Sequence, residues 1–431
     1  MQTRSWKRVL KNTILASTVG LSVSMAHAAD TIKVGVLHSL SGTMAISETT
    51  LKDTVLMMVE QQNAKGGLLG KKLEAVVVDP ASNWPLFAEK TRELLEKDKV
   101  DVIFGCWTSV SRKSVLPVIE ELNGLMFYPV QYEGEESSKN VFYTGAAPNQ
   151  QAIPAVNYLM DELGVERFVL AGTDYVYPRT TNKILENYLK DRGVASEDIM
   201  INYTPFGHSD WQTIVSDVKT FGSAGKKTAV VSTINGDANV PFYKELGNQG
   251  ISAEDIPVVA FSVGEEELSG IDTAPLVGHL AAWNYFMSAE SDINEEFIKA
   301  WHQFTGDKSR VTNDPMEATY IGFEMWAKAV EKAGTTDVDA VRLAIYGTAV
   351  PNLTGGTAVM HVNHHLQKPV LIGEIMDDGQ FEIVYETKGE VIGDAWTDFL
   401  PDSAKIIADW TAPVNCGNYN LATQQCSGQN F

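Results

Sequence analysis

The feature that most constrains the fold is a regular alternation of short apolar runs with longer amphipathic stretches, beginning at Thr31. Runs such as Ile32 to Leu37 and Val100 to Phe104 are rich in Val, Ile and Phe and predict strands, whereas the stretches between them show helical spacing. The same rhythm starts again after Pro148 and continues to Phe261. Strands that alternate with helices indicate parallel sheets with crossover helices, so the sequence predicts an α/β protein with two such units.

The pattern changes in the last third of the chain. A strand is predicted from Leu280 to Asn284, and two helices from Asn294 to Phe304 and from Met316 to Ala333. A turn-rich region follows, in which Asp377-Asp378-Gly379 separates two apolar runs. That arrangement is typical of a β-hairpin.

The first 28 residues differ from the rest of the chain. Arg4, Lys7, Arg8 and Lys11 form a basic segment, a short uncharged apolar stretch follows, and Ala26-His27-Ala28 offers small residues for cleavage. The apolar stretch is shorter than a comfortable membrane span. A secretory signal peptide over residues 1–28 is therefore predicted, with an uncleaved membrane anchor as the alternative.

The charge balance restricts the partners. The chain has 34 Lys+Arg and 55 Asp+Glu, and removing the four basic residues of the signal peptide leaves 30 against 55, a net charge of −25. Such a balance argues against binding to nucleic acid or to anionic lipid, since both need a basic surface. The acidic run Glu265-Glu266-Glu267 is expected to be solvated surface, with calcium binding as the alternative; no other cofactor is predicted.

The three cysteines have different expectations. Cys416 and Cys426 lie close together in a polar C-terminal tail, and export makes a disulfide between them the favoured interpretation over two free thiols. Cys106 ends an apolar run and is expected to be a small buried hydrophobe.

Five predicted strands run directly into segments dense in aromatic and hydrogen-bonding residues. In open parallel sheets ligands bind beyond the carboxyl ends of the strands, so these segments should converge on a cleft. They supply the candidate binding residues: Trp107, Ser109, Tyr128, Gln131, Asp174, Tyr175, Tyr177, Asn235, Phe261 and Ser262.

The chemistry of these candidates favours a small, planar, uncharged ligand. The aromatic rings can sandwich a flat group. Ser109 and the free amides of a first helical turn can bind a carbonyl oxygen, although Ser109 also fits a simple helix cap. Few charges intrude, chiefly Asp174, Asp237 and Glu265. For any single tyrosine, core packing is the alternative.

An enzyme is disfavoured, because a hydrolase needs an activated nucleophile or a metal-held water. The one histidine cluster, His361-x-x-His364-His365, lacks the helical spacing of a zinc site, and Cys106 has no evident histidine partner.

Several ordered blocks resemble a known family over nearly the whole mature chain: the amide- and urea-binding branch of the type I periplasmic binding proteins, relatives of the leucine/isoleucine/valine-binding protein. The blocks are Phe104-Gly105-Cys106-Trp107-Thr108-Ser109 with Arg112-Lys113, Tyr128-Pro129-x-x-Tyr132-Glu133-Gly134, Ala147-Pro148-Asn149-Gln150, Asp174-Tyr175-x-Tyr177-Pro178-Arg179, and Asn363-His364-His365 followed by Asp378-Gly379-Gln380-Phe381.

The resemblance implies a two-lobed protein with a three-segment hinge that closes on its ligand. By that pattern residues 29–147 and 279–350 form one lobe, and residues 148–278 and 351–431 form the other. It further implies a periplasmic protein that captures urea and delivers it to the permease of an ABC transporter. Short aliphatic amides such as acetamide or formamide, branched-chain amino acids and an amide-sensing role are the alternatives.

One position bears on the choice of ligand. In the cytoplasmic amide-sensing relative, the positions that match Trp107, Val130 and Gln131 are tyrosine, threonine and proline. Urea has a second NH2 where acetamide has a methyl group, and the Gln131 side-chain oxygen can accept a hydrogen bond from it. We therefore expect Gln131 to select urea.

Overall fold

A computed structural model of the chain describes residues 31–400 and a short antiparallel strand pair in the tail, Asn418–Asn420 with Gln425–Ser427. Within these residues no helix combines the length and apolar character that a membrane crossing requires.

Two sequence predictions depend on residues or side chains outside this description. They are the signal peptide over residues 1–28 and the disulfide between the side chains of Cys416 and Cys426, and both stay predictions. Cys106 is fully buried in the core beside the first sheet, which confirms the sequence interpretation.

The first sheet has five parallel strands in the order β2-β1-β3-β4-β5. Its strands are almost continuously apolar because helices cover both faces of a parallel sheet. The strands are β1 (Ile32–Leu37), β2 (Leu73–Val78), β3 (Val102–Gly105), β4 (Met126–Tyr128) and β5 (Val141–Tyr143).

The second sheet has seven strands in the order β15-β14-β10-β9-β8-β6-β7. The pairings from β10 to β7 are parallel, whereas β14 is antiparallel to both of its neighbours, β10 and β15. The remaining strands form two small pairs, β11 with β12 and β13 with β16. In chain order they are β6 (Arg167–Thr173), β7 (Ile199–Thr204), β8 (Thr228–Thr233), β9 (Val258–Ala260), β10 (Leu280–Trp283), β11 (Ala349–Pro351), β12 (Thr357–Val359), β13 (Gln367–Lys368), β14 (Leu371–Ile375), β15 (Phe381–Glu386) and β16 (Val391–Ile392).

The helices pack around these sheets. Within the described residues they are α1 (Ala45–Ala64), α2 (Trp84–Arg92), α3 (Ser109–Glu121), α4 (Ala152–Asp161), α5 (Val176–Asp191), α6 (Gln212–Gly222), α7 (Asn239–Asn248), α8 (Glu265–Leu268), α9 (Asp292–Thr305), α10 (Asp314–Ala333) and α11 (Val338–Ile345).

Strand β10 corrects one boundary drawn from the sequence. From the sequence, the chain is predicted to re-enter the first lobe at residue 279, before this strand. The structure pairs β10 with β9 and β14, so the chain leaves the second sheet only after Trp283. A short, fully buried apolar run fits either sheet, and nothing within the run specifies its pairing partner.

The segment after β10 completes the first lobe. Helices α9 and α10 contribute Trp301, Phe323 and Trp326 to the same apolar core as β3 and β4. The Phe104 ring of β3 lies 5.1 Å from the Phe127 ring and 5.6 Å from the Phe323 ring. Two separate apolar layers cover the faces of the second sheet.

The chain crosses between the lobes three times, and side-chain amides join the crossings. Asn284 Nδ2 donates to the carbonyl oxygens of Gln150 at 3.0 Å and of Pro369 at 2.7 Å. Gln150 Nε2 donates in turn to the carbonyl of Leu366 at 3.0 Å. The three-segment hinge implied by the resemblance is therefore present.

A buried charge group lies beside this hinge. Lys368 Nζ is 3.0 Å from Glu317 Oε2 and 3.7 Å from Asp314 Oδ2, and all three side chains are at most 1% exposed. Asp314 Oδ2 also accepts from the backbone amide of Asn284 at 2.9 Å. The lysine thus compensates two carboxylates that are shielded from water, and it links the third crossing to helix α10.

Candidate ligand-binding cleft

The two lobes touch directly across the cleft at the carboxyl ends of the strands. Trp107 Nε1 donates to Asn235 Oδ1 at 3.3 Å, and Gln131 Nε2 donates to Ser262 Oγ at 2.7 Å. All four side chains are at most 3% exposed. The structure is therefore a closed form, in which four of the sequence-predicted site residues meet in two pairs.

A second set of contacts joins the lobes at the rim. Ser47 Oγ, on α1, donates to Glu267 Oε1 at 2.6 Å, and the Asp237 amide donates to the Thr43 carbonyl at 3.2 Å. Closure thus uses groups beyond the predicted site.

These contacts also correct the interpretation of the acidic run. Glu265 and Glu267 are buried, because they open the one-turn helix α8 against the other lobe. The backbone amide of Met287 donates to Glu265 Oε1 at 2.6 Å, and burial raises the pKa of Glu265 to about 8. No group of three or more His, Cys, Asp or Glu side chains within the described residues is arranged to hold a metal ion.

Trp107 and Ser109 are positioned by a tight turn between β3 and α3. A Cβ on Gly105 would lie 2.5 Å from the Leu37 carbonyl oxygen, so only glycine fits, and Cys106 follows with φ +68°. Thr108 is the helix cap, since its Oγ1 accepts from the Ser111 amide at 3.1 Å. The alternative role of Ser109 as the cap is therefore wrong, and its hydroxyl bonds elsewhere.

Gln131 is held by the loop that follows β4. Gly145 backs this loop, and a Cβ there would lie 2.1 Å from the Val130 carbonyl carbon. The Tyr132 amide donates to the Ala146 carbonyl at 3.0 Å. Gln131 Oε1 is buried without a hydrogen-bond partner among the described residues.

The tyrosines of the second lobe lie at the start of α5. The Tyr175 and Tyr177 ring centroids are 6.2 Å apart, and the cluster that they form with Val176 packs against Val110 of α3, on the opposite lobe. Burial raises the pKa of Tyr177, whose hydroxyl is buried without a hydrogen-bond partner among the described residues. Tyr177 is therefore neutral and lies beside the Gln131–Ser262 pair.

Two predicted site residues are placed differently. Asp174 is exposed on the surface, where it forms an ion pair with Arg179, whose guanidinium also lies over the Tyr203 ring. The Phe261 side chain packs into an apolar layer of the second sheet, because a residue directly after a strand still alternates toward one face. The neighbouring Ser262 is the one that reaches across the cleft.

A buried ionic cluster that was not predicted from the sequence lies next to Ser109. Arg112 Nε is 2.7 Å from Glu136 Oε1, and Arg112 Nη2 is 3.2 Å from Glu133 Oε1. Lys113 pairs with Glu136 as well. Although burial alone would raise the pKa of Glu136, Arg112 and Lys113 lower it to about 2. The cluster contains two positive and two negative side chains and is balanced.

Aromatic rings enclose this cluster. The Arg112 guanidinium lies 4.6 Å from the Tyr128 ring centroid and 4.8 Å from that of Tyr132. The Tyr128 hydroxyl donates to the Trp107 carbonyl, which leaves its oxygen with acceptor capacity only. The signal in the sequence was the presence of four charged residues, Arg112, Lys113, Glu133 and Glu136, in the segments that follow the buried strands β3 and β4, where unpaired charges are costly.

The histidine cluster is structural. The Tyr132 hydroxyl lies 2.6 Å from His365 Nε2, and that of Tyr346 lies 2.7 Å from His364 Nε2. Burial lowers the pKa of His365 to about 4 and that of His364 to about 3. Both rings are therefore neutral near pH 7 and brace the first lobe against the third crossing.

Comparisons with known proteins agree with this architecture. A periplasmic binding protein domain matches residues 32–402. The Leu/Ile/Val-binding protein homolog 7 of Brucella abortus is 24% identical over 406 residues, which cover 87% of this chain and 96% of that protein. The leucine-, isoleucine-, valine-, threonine- and alanine-binding protein of Pseudomonas aeruginosa is 22% identical and covers 80% and 90%.

Solved structures show the same fold. The solute-binding protein of an ABC transporter from Rhodopseudomonas palustris HaA2, in complex with p-hydroxybenzoic acid, superimposes with a TM-score of 0.74 at 21% identity, covering 84% of this chain and 98% of that one. The leucine-binding protein from Thermotoga maritima gives a TM-score of 0.70 at 17% identity, covering 82% and 98%. The chain therefore belongs to the periplasmic binding protein domain family, whose model covers nearly all of the described residues.

Proposed function

We propose that this protein captures urea in the cleft between its lobes, in the periplasm, and delivers it to an ABC transporter permease. The observation that carries the proposal is the Gln131 side-chain oxygen, which is buried at the cleft and accepts no hydrogen bond from the described residues. A buried acceptor without a partner is costly, and a ligand N–H removes that cost. Urea supplies such groups on both of its nitrogens.

The size of the ligand follows from the contacts between the lobes. The Trp107–Asn235 and Gln131–Ser262 hydrogen bonds connect the lobes directly. A ligand that binds with both bonds intact is small. We expect that a benzoate or a leucine side chain binds only if at least one of these contacts opens.

The charge of the ligand follows from the ionic cluster. A carboxylate ligand is bound by a cation or by free N–H and O–H donors, and the nearby cations Arg112 and Lys113 are already paired with Glu133 and Glu136. Because both buried cations already have carboxylate partners, neither is free to bind an anionic ligand. Short neutral amides are the second candidate, and the unpaired oxygen of Gln131 favours urea over them.

The experiment is a thermal-shift panel on the mature chain with urea, acetamide, formamide, leucine and 4-hydroxybenzoate. A ligand that binds only the folded state raises the melting temperature by mass action, so urea at low concentration should give the largest increase. High concentrations are avoided because urea also denatures proteins. A larger shift with leucine or with 4-hydroxybenzoate would refute the proposal.

A further inference from the structure

The Ser109 hydroxyl already makes two hydrogen bonds within the protein. It donates to Glu133 Oε2, and Arg112 Nη1 donates to its oxygen at 3.1 Å. A serine hydroxyl has one proton and two lone pairs. The Tyr128 hydroxyl also lies near Ser109, but it donates its proton to the Trp107 carbonyl and so does not fill the second lone pair. One lone pair is left, so toward a ligand this hydroxyl can only accept.

The direction of these bonds is determined by the partners. A guanidinium has five donors and no acceptor, and it does not lose its proton in proteins. Arg112 Nη2 also donates to Glu133 Oε1 at 3.2 Å, and all three side chains are at most 1% exposed. Reversing the serine bond would require a proton on Glu133 or a break in a buried ion pair.

We propose that Arg112 and Glu133 are positioning residues that hold Ser109 as a hydrogen-bond acceptor and thereby select a ligand N–H group at this point. The inference rests on the proposed function and deepens it, because it orients the ligand. A urea nitrogen faces Ser109, whereas the sequence analysis expected a carbonyl oxygen there.

Two other groups at the cleft are also hydrogen-bond acceptors toward a ligand. The Tyr128 hydroxyl donates to the Trp107 carbonyl, so toward a ligand it can only accept, and Gln131 Oε1 is an acceptor without a partner among the described residues. This wall of the cleft therefore offers acceptors, which match the four N–H groups of urea and oppose the oxygens of a carboxylate.

The test is the isosteric variant Glu133→Gln. Arg112 can only donate, so the glutamine must keep its oxygen on Arg112 and turn its NH2 toward Ser109. Ser109 then receives two donors, and its own proton points at the ligand N–H. Calorimetry should show a urea Kd about tenfold higher or more.

A double-mutant cycle separates positioning from a merely structural role. Ser109→Ala should also weaken urea binding, and Glu133→Gln added to Ser109→Ala should cause little further loss, because its effect acts through the hydroxyl. The matched control is Glu120→Gln, which alters a similar Glu–Ser pair with Ser138 (2.6 Å) at the other end of α3. That control should keep the wild-type Kd.

The outcomes distinguish the two proposals. If the wild type binds no urea, the proposed function fails and this inference with it. If the wild type binds urea but Glu133→Gln matches it, or the losses simply add, only the positioning role is overturned. If Glu133→Gln does not fold, a wild-type urea complex at atomic resolution decides. A nitrogen next to Ser109 Oγ supports the inference, and the carbonyl oxygen there overturns it.

Discussion

Replacing Gln131 by methionine removes the unpaired acceptor while keeping the length of the side chain. The Gln131 side chain is 3% exposed, so in the closed complex a urea NH2 that faces methionine has no water to turn to. An unsatisfied buried donor costs about 1–3 kcal/mol, which corresponds to a urea Kd roughly 5- to 150-fold higher. Acetamide can present its methyl group to the methionine and should lose little by this route.

The same substitution also deletes the 2.7 Å bond from Gln131 Nε2 to Ser262 Oγ, which weakens closure for every ligand. A net hydrogen bond contributes about 0.5–1.5 kcal/mol. Ser262→Ala is the matched control, since it removes that bond and leaves the glutamine in place. Both ligands should then weaken by the same factor.

The assay is isothermal calorimetry of urea and acetamide with the wild type and both variants. The ratio of the two dissociation constants should move toward acetamide in Gln131→Met and stay constant in Ser262→Ala. An unchanged ratio in Gln131→Met would show that this oxygen does not choose between the ligands.

Three further predictions concern stability and pH. Lys368→Met leaves two buried carboxylates uncompensated and should lower the free energy of unfolding by about 3–5 kcal/mol in guanidinium titrations, whereas the exposed Lys328→Met should not; equal stability of the two would refute the role of the buried charge group. Gly145→Ala should lower both the melting temperature and the urea affinity, because overpacking against the Gln131 loop costs about 1–3 kcal/mol. Gly270→Ala is the control, since a Cβ there meets open space and should change neither quantity. Unchanged urea affinity in Gly145→Ala would argue against a role of this glycine in positioning the loop. Burial raises the pKa of Glu133, although its ion pair with Arg112 opposes the shift. Urea affinity should therefore be full above that pKa and fall as acidification protonates the carboxylate. Calorimetry at neutral and acidic pH should show this loss in the wild type and not in Glu133→Gln.

Local pattern was sufficient where an element is defined by its own residues. Strand β1 has the bounds that its apolar run predicts, Ile32–Leu37, and the hairpin around Asp377-Asp378-Gly379 forms as expected. Strand β5, with three residues, is too short to show a period, and the sequence analysis missed it.

Tertiary placement was beyond the local pattern. The sheet that β10 joins and the burial of Glu265 and Glu267 depend on partners far along the chain, such as Ser47. The same holds for the site. The positions of Trp107 and Gln131 after strand ends predicted their place in the cleft. The pairing of Arg112 with two glutamates, which makes the Ser109 hydroxyl an acceptor, depends on contacts that form only in the folded chain.

The most direct test is a calorimetric titration of the wild-type mature chain with urea, followed by a titration with leucine. Saturable one-to-one binding of urea and no binding heat from leucine is the predicted result. Saturable binding of leucine with none of urea would contradict the assignment of an uncharged, donor-rich ligand to this cleft.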